Sequence, residues 1–94
     1  MNDNIIQIYG QDFYHSSAYI MGTREGLRTL CDALYEVVHK EDMATVETSD
    51  SQGEWYAITI RECTESELES LQAQYTDTVA KHTRGGVWPG EMCK

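Results

Sequence analysis

Positive charge is scarce in this sequence. Seven Lys and Arg stand against sixteen Asp and Glu, for a formal net charge of −9 and a pI near 4.5. That balance repels phosphate backbones and anionic lipid, which argues against non-specific binding to DNA, RNA or a membrane surface. Cysteine is also sparse. Cys31, Cys63 and Cys93 are an odd set without a C-x-x-C pair, which fits neither a disulfide framework nor a zinc knuckle. Reduced thiols in a cytoplasmic setting are expected. The single proline, Pro89, leaves no Pro-rich linker. No apolar run approaches the ~18 residues that span a bilayer. The N-terminus lacks a basic stretch followed by a long apolar one, so no secretory leader is expected.

Catalytic signatures are missing too. The chain holds no P-loop, H-E-x-x-H, G-x-S-x-G or dinucleotide fingerprint. His15, His39 and His82 are far apart in sequence, and Cys31 falls within an apolar helical stripe. A binding protein rather than an enzyme is therefore expected, with no metal and no cofactor.

What is present is a clear alternation of strand and helix signals. Ile5–Tyr9 is rich in β-branched residues and ends at the turn-like Gly10-Gln11-Asp12. A second strand is expected from about Phe13 to Met21. Thr23 is a suitable N-cap, with Glu25 in the first turn behind it. Leu27, Leu30, Cys31, Leu34 and Val38 then recur at helical spacing, and this helix should end near His39 or Lys40. Arg28 with Asp32, and Glu36 with Lys40, are spaced as exposed pairs. A third strand is expected over about Met43–Thr48, followed by the loop Ser49–Gly53. In Glu54–Arg61, Tyr56, Ile58 and Ile60 alternate with Trp55, Ala57, Thr59 and Arg61, as in a half-buried strand. Thr64-Glu65-Ser66-Glu67 is a capping box. It should open a second helix with Leu68, Leu71, Tyr75 and Val79 inward and an end near Lys81 or His82.

The expected architecture is a single α+β domain over residues 1–82. It has a four-stranded antiparallel sheet in ββαββα order and both amphipathic helices on one face. Residues 83–94 would form a tail that docks on the domain, docks on a neighbouring subunit or stays disordered. A chain of 94 residues buries only about 60–65% of its unfolded surface, so a homo-oligomer is expected.

Three groups of residues are candidates for a site. Gly22, Thr23, Arg24 and Arg28 could cradle an anion at the helix start, where N–H groups are unpaired and arginine can fork onto phosphate. The plainer reading is an ordinary cap with arginines paired to surface acids. Trp55 and Tyr14, with other rings of the first hairpin, could stack on a flat group; core packing is the plainer reading. Trp88 and Arg84, with His82 nearby, lie in a Gly- and Pro-containing tail, where a Trp needs a docking place.

The segments GQDFYHSSAYIMGTREGLRTL and TSDSQGEWYAITI carry a resemblance. Through Gly10, His15, Ala18, Gly22-Thr23-Arg24-x-Gly26-Leu27, Asp50 and Gly53-Glu54-x-Tyr56 the chain resembles small accessory proteins of phages and bacteria. The likeness lies in layout and a few positions, and it covers about two-thirds of the chain. Such phage proteins include anti-defence sponges, non-catalytic oligomers that trap nucleotide signals of bacterial immunity. The resemblance implies sequestration of a phosphate-containing nucleotide in the host cytoplasm, with His15 and Arg84 as further polar contacts. The alternative is an acidic inhibitor, an immunity protein or DNA mimic. There Glu62, Glu65, Glu67, Glu69 and Asp77 would meet a basic surface on a nuclease or DNA-binding protein.

Overall fold

Thr23 starts the longest element as its sequence suggests. In the computed structural model, which describes residues 4–77 and 85–94, its hydroxyl accepts from the Gly26 N–H at 3.1 Å. Helix α1 then runs Arg24–His39, with Glu25 in its first turn and His39 in its last, both favourable to the helix dipole. The other elements among the described residues are strands β1 (Ile6–Tyr9), β2 (Tyr19–Gly22), β3 (Met43–Ser49) and β4 (Trp55–Arg61), and the short helices α2 (Glu65–Ser70) and α3 (Pro89–Met92). The class is α+β. None of the described helices is long and apolar enough to cross a membrane.

Contacts divide the chain into two compact units, Met1–Ile8 with Ile20–Glu62, and Tyr9–Tyr19 with Cys63–Lys94. In the first, β3 and β4 are antiparallel, with Val46 opposite Ile58 and Thr48 opposite Tyr56. Val46 and Thr48 are buried, and Tyr56, Ile58 and Ile60 share their face, as the alternation requires. Helix α1 packs on this pair, with Leu30, Ala33 and Val37 buried and Gly26 close against the Ile5 backbone. Cys31, Leu34 and Val38, expected inside, are exposed, as is Leu27. The helix is turned by about one residue from the expected orientation. Small Gly26 and Ala33 let it sit close to the rest of the unit, and close approach decides which side faces in.

The expected four-stranded sheet is not formed. There are two two-stranded sheets, β1–β2 and β3–β4. Among the described residues, Ile5, just before β1, makes one isolated parallel bridge to Ser49 of β3. Toward β2, the Ile5 N–H donates to the Thr23 hydroxyl at 3.2 Å, and its carbonyl accepts from the Thr23 N–H at 3.0 Å. On the other edge, side chains occupy backbone carbonyls that a continuous ladder would use. The Tyr56 hydroxyl donates to the Ile6 carbonyl. Thr48 Oγ1 lies 3.0 Å from both the backbone and side-chain oxygens of Asn4.

The second unit departs furthest from expectation. Helix α2 has its capping box, with Thr64 and Glu67 bonded reciprocally, but stops at Ser70. Residues 71–77 are not helical. Their N–H groups turn outward: Gln72 donates to Val87 at 2.9 Å, Thr76 to Gln11 at 2.9 Å and Asp77 to Asp12 at 3.0 Å. These tertiary bonds replace the ones that a marginal helix would have made within itself. Val79, Lys81 and His82, placed in that helix by the sequence pattern, lie outside the described residues. Strand β2 begins only at Tyr19, because residues 11–16 fold into a self-bonded turn instead. There Phe13 N and Ser16 Oγ are 3.1 Å apart, Ser16 Oγ donates to the Phe13 carbonyl at 2.7 Å, and Gln11 Nε2 donates to the Ser16 carbonyl at 3.0 Å.

Candidate functional site

A cavity of about 960 Å³ opens within the second unit. Its floor is the extended 71–76 segment. Leu71, Ala73 and Tyr75 alternate there with Gln72, Gln74 and Thr76, and all six line it. Tyr14 comes from the self-bonded turn, Leu68 and Glu69 from α2, and Trp88 and Pro89 from the C-terminal segment.

Each ring is held by backbone chemistry. His15, next to Tyr14, has φ 62, a left-handed conformation that turns the chain sharply at this point. The Tyr14 and Tyr75 rings meet edge to face, centroids 4.9 Å apart, and Phe13 backs Tyr14 at 4.7 Å. Trp88 is placed by its neighbours. Val87 bridges to Leu71, donating to Ser70 at 2.8 Å and accepting from Gln72. Gly86 makes that approach possible: at φ 153, a Cβ would lie 2.5 Å from the Ser70 carbonyl oxygen. Gly90 leaves room for the indole, since a Cβ there would lie 2.8 Å from Trp88 Nε1. Behind α3, Cys63 Sγ lies 4.0 Å from Met92 Sδ.

The described lining is aromatic and polar. None of the described residues in it is Lys or Arg, and Glu69 adds a carboxylate. Gln72 and Gln74 supply amides, which both donate and accept, and Thr76 a hydroxyl. Two of these are partly engaged. Gln74 Nε2 donates to Gln11 Oε1, and Thr76 Oγ1 donates to Asp12 Oδ1 at 2.8 Å. Such walls suit a flat ring with hydrogen-bonding edges, stacked on tyrosine or tryptophan.

Of the residues singled out from the sequence, Tyr14 and Trp88 are brought together here. His15 lies in the same turn as Tyr14 but does not line the cavity. Arg84 lies outside the described residues. Gly22, Thr23, Arg24, Arg28 and Trp55 belong to the first unit. There the Thr23 hydroxyl accepts from both Gly26 and Ile5, and Arg28 pairs with Glu25 at 3.0 Å rather than with Asp32. Gly22 gives close approach to the chain itself, because a Cβ on it would lie 2.7 Å from the Ile5 carbonyl oxygen. Arg24 is exposed. Trp55 stands exposed at the start of β4, on the face away from α1.

Tyr75, Gln72, Gln74 and Thr76 were not among the sequence candidates. The signal was there: apolar 71, 73 and 75 alternate with polar 72, 74 and 76, the period of a strand. Leu68, Leu71, Tyr75 and Val79 fit a helix equally well, and that reading hid it.

One ionisable group in the described part of the first unit departs clearly from its ordinary behaviour. Burial, and secondarily the Asp50 carboxylate, push the Tyr56 phenol up. Among the described residues no cluster of three His, Cys, Asp or Glu could hold a metal ion. Comparison with family models, with curated proteins and with solved structures found no match to this chain.

Proposed function

We propose that this chain is a non-catalytic binding protein that sequesters a small nucleotide-derived molecule, held by its base in the cavity of the second unit. The observation that carries the reading is the convergence of Tyr14, Tyr75 and Trp88 on one cavity whose other walls offer amide and hydroxyl groups. Stacking of a base on an aromatic side chain contributes about 1–3 kcal/mol, and the amides can match a base edge. Among the described lining residues none is Lys or Arg, which favours a grip on the base over one on the phosphate. The acidic exterior favours the same grip. Trapping of a nucleotide immune signal, the role implied by the resemblance to phage sponges, is compatible with such a grip and needs no chemistry.

A thermal-shift series with nucleosides, mononucleotides and cyclic di- and trinucleotides tests the reading. A ligand at a hundredfold excess over its Kd stabilises the folded state by about 2.7 kcal/mol. The expected result is a rise in Tm with at least one base-bearing ligand, abolished by Trp88→Ala or Tyr75→Ala and kept in Arg24→Ala. No rise at millimolar ligand, or a rise lost in Arg24→Ala and kept in Trp88→Ala, contradicts it.

A further inference from the structure

Helix α1 has two apolar stripes, and the described contacts use one. Gly26, Leu30, Ala33 and Val37 are buried. One position along, Leu27, Cys31, Leu34 and Val38 follow one another at intervals of four, three and four residues, the spacing of a coiled-coil seam. All four are exposed, Leu34 at 46% and Val38 at 69%, and Tyr35 flanks them at 57%. The Leu27 side chain lies beside Gly22, at the end of the wholly exposed strand β2. A continuous apolar surface of this kind marks an interaction site.

We propose that this face pairs with the same face of a second copy, the two α1 helices antiparallel and the two-fold axis beside Cys31. The stripe is laid out symmetrically about that residue. Leu27 and Leu34 fall four before and three after it, Arg24 and Val38 seven before and seven after. A two-fold rotation therefore sets Leu27 of one copy against Leu34 of the other, and Arg24 against the region of Val38. Charge selects the antiparallel arrangement. Arg24 and Arg28 outweigh Glu25 in the first two turns, while Glu36, Glu41 and Asp42 outweigh Lys40 at the other end, where carbonyl ends are partly negative. Antiparallel pairing brings each basic start beside an acidic end; parallel pairing would set like against like. The interface is isologous and closes at two copies. A seam of about four turns falls short of the ~800 Å² per partner of a standard interface, so association is weak and concentration-dependent.

Light scattering on the full chain from low micromolar to about half-millimolar, with peptide mapping after mild oxidation, decides the matter. The expected result is a monomer–dimer equilibrium with a Cys31–Cys31 disulfide between copies. Val38→Asp, at an exposed position that leaves the core alone, raises the dissociation constant at least tenfold. Arg24→Glu weakens the dimer severalfold, and adding Glu41→Arg to it restores part of the loss. A monomer throughout overturns the proposal. So does a dimer indifferent to Val38→Asp that yields no Cys31–Cys31 link. A disulfide from Cys31 to Cys63 or Cys93 of the same chain overturns it as well, since the chain's own second unit would then cover the stripe.

Discussion

The two units hold their shapes by different means. Helix α1 and the pair β3–β4 rely on periodic burial: Leu30, Ala33 and Val37 above, Val46, Ile58 and Ile60 below. Among its described residues, the 9–19 and 63–94 unit has little regular structure and relies on single hydrogen bonds between distant backbone groups, one of them made possible by Gly86. Gln72 with Val87, Thr76 with Gln11 and Asp77 with Asp12 are its counterparts of a ladder. Periodic burial spreads stability over many side chains. Point contacts concentrate it at a few positions, and those same positions shape the cavity.

Substitutions can break this contrast, and the largest effect is expected at Gly86. With φ 153 and the Ser70 oxygen 2.5 Å from any added Cβ, Gly86→Ala should displace Val87 and Trp88. A cost of about 2–4 kcal/mol to the second unit is expected. Hydrogen exchange should show lost protection at Gln72 and Val87 with the amides of α1 unchanged. Equal loss in α1 would refute the contrast.

Tyr56 offers a smaller effect in the first unit. Its hydroxyl donates to Ile6, and burial raises its pKa above the ordinary value of about 10. The folded state thus holds the phenolic proton more tightly than the unfolded chain. The stabilisation is fully present below about pH 10 and is lost as the pH rises through that unfolded value towards the raised folded one. Tyr56→Phe should cost about 1 kcal/mol at pH 7 by urea titration and should lose less than wild type above pH 10. A variant as alkali-sensitive as wild type would remove this account of Tyr56.

His15 and Arg28 sharpen the comparison at the low end. His15→Gly relieves the φ 62 conformation and should change stability by less than about 1 kcal/mol, in the stabilising direction. Arg28→Ala removes an exposed pair with Glu25 and should cost no more than about 0.5 kcal/mol. A stabilising His15→Gly beside a near-neutral Arg28→Ala, read from urea midpoints, would show strain stored in the cavity's turn and none at the helix start.

The contrast also explains what could be read from sequence. In the first unit the signals are local and agree. The Thr23 cap, the span of α1 and the alternation of β4 all appear as expected. In the second unit the equally local Thr64–Glu67 capping box does so too. The inward side of α1 was misread because hydrophobicity favours Leu27, Leu34 and Val38, whereas close packing favours Gly26 and Ala33. The end of α2 was misread because residues 71–77 satisfy two periods, and the choice is made by partners 15 and some 65 positions away. Tyr14 and Trp88 were legible as candidate stacking rings, Tyr14 with core packing as the alternative. Their meeting with Tyr75 depends on hydrogen bonds that leave no local trace.

Two tryptophans, one in each unit, provide the most direct test of the cavity as the binding site. Trp55 is 68% exposed on β4 and Trp88 is 57% exposed at the cavity. Titration of ¹⁵N-labelled protein with a ligand that raises Tm should shift the Trp88 indole N–H resonance in a saturable manner and leave that of Trp55 in place. A saturable shift at Trp55 with Trp88 unmoved would contradict the account.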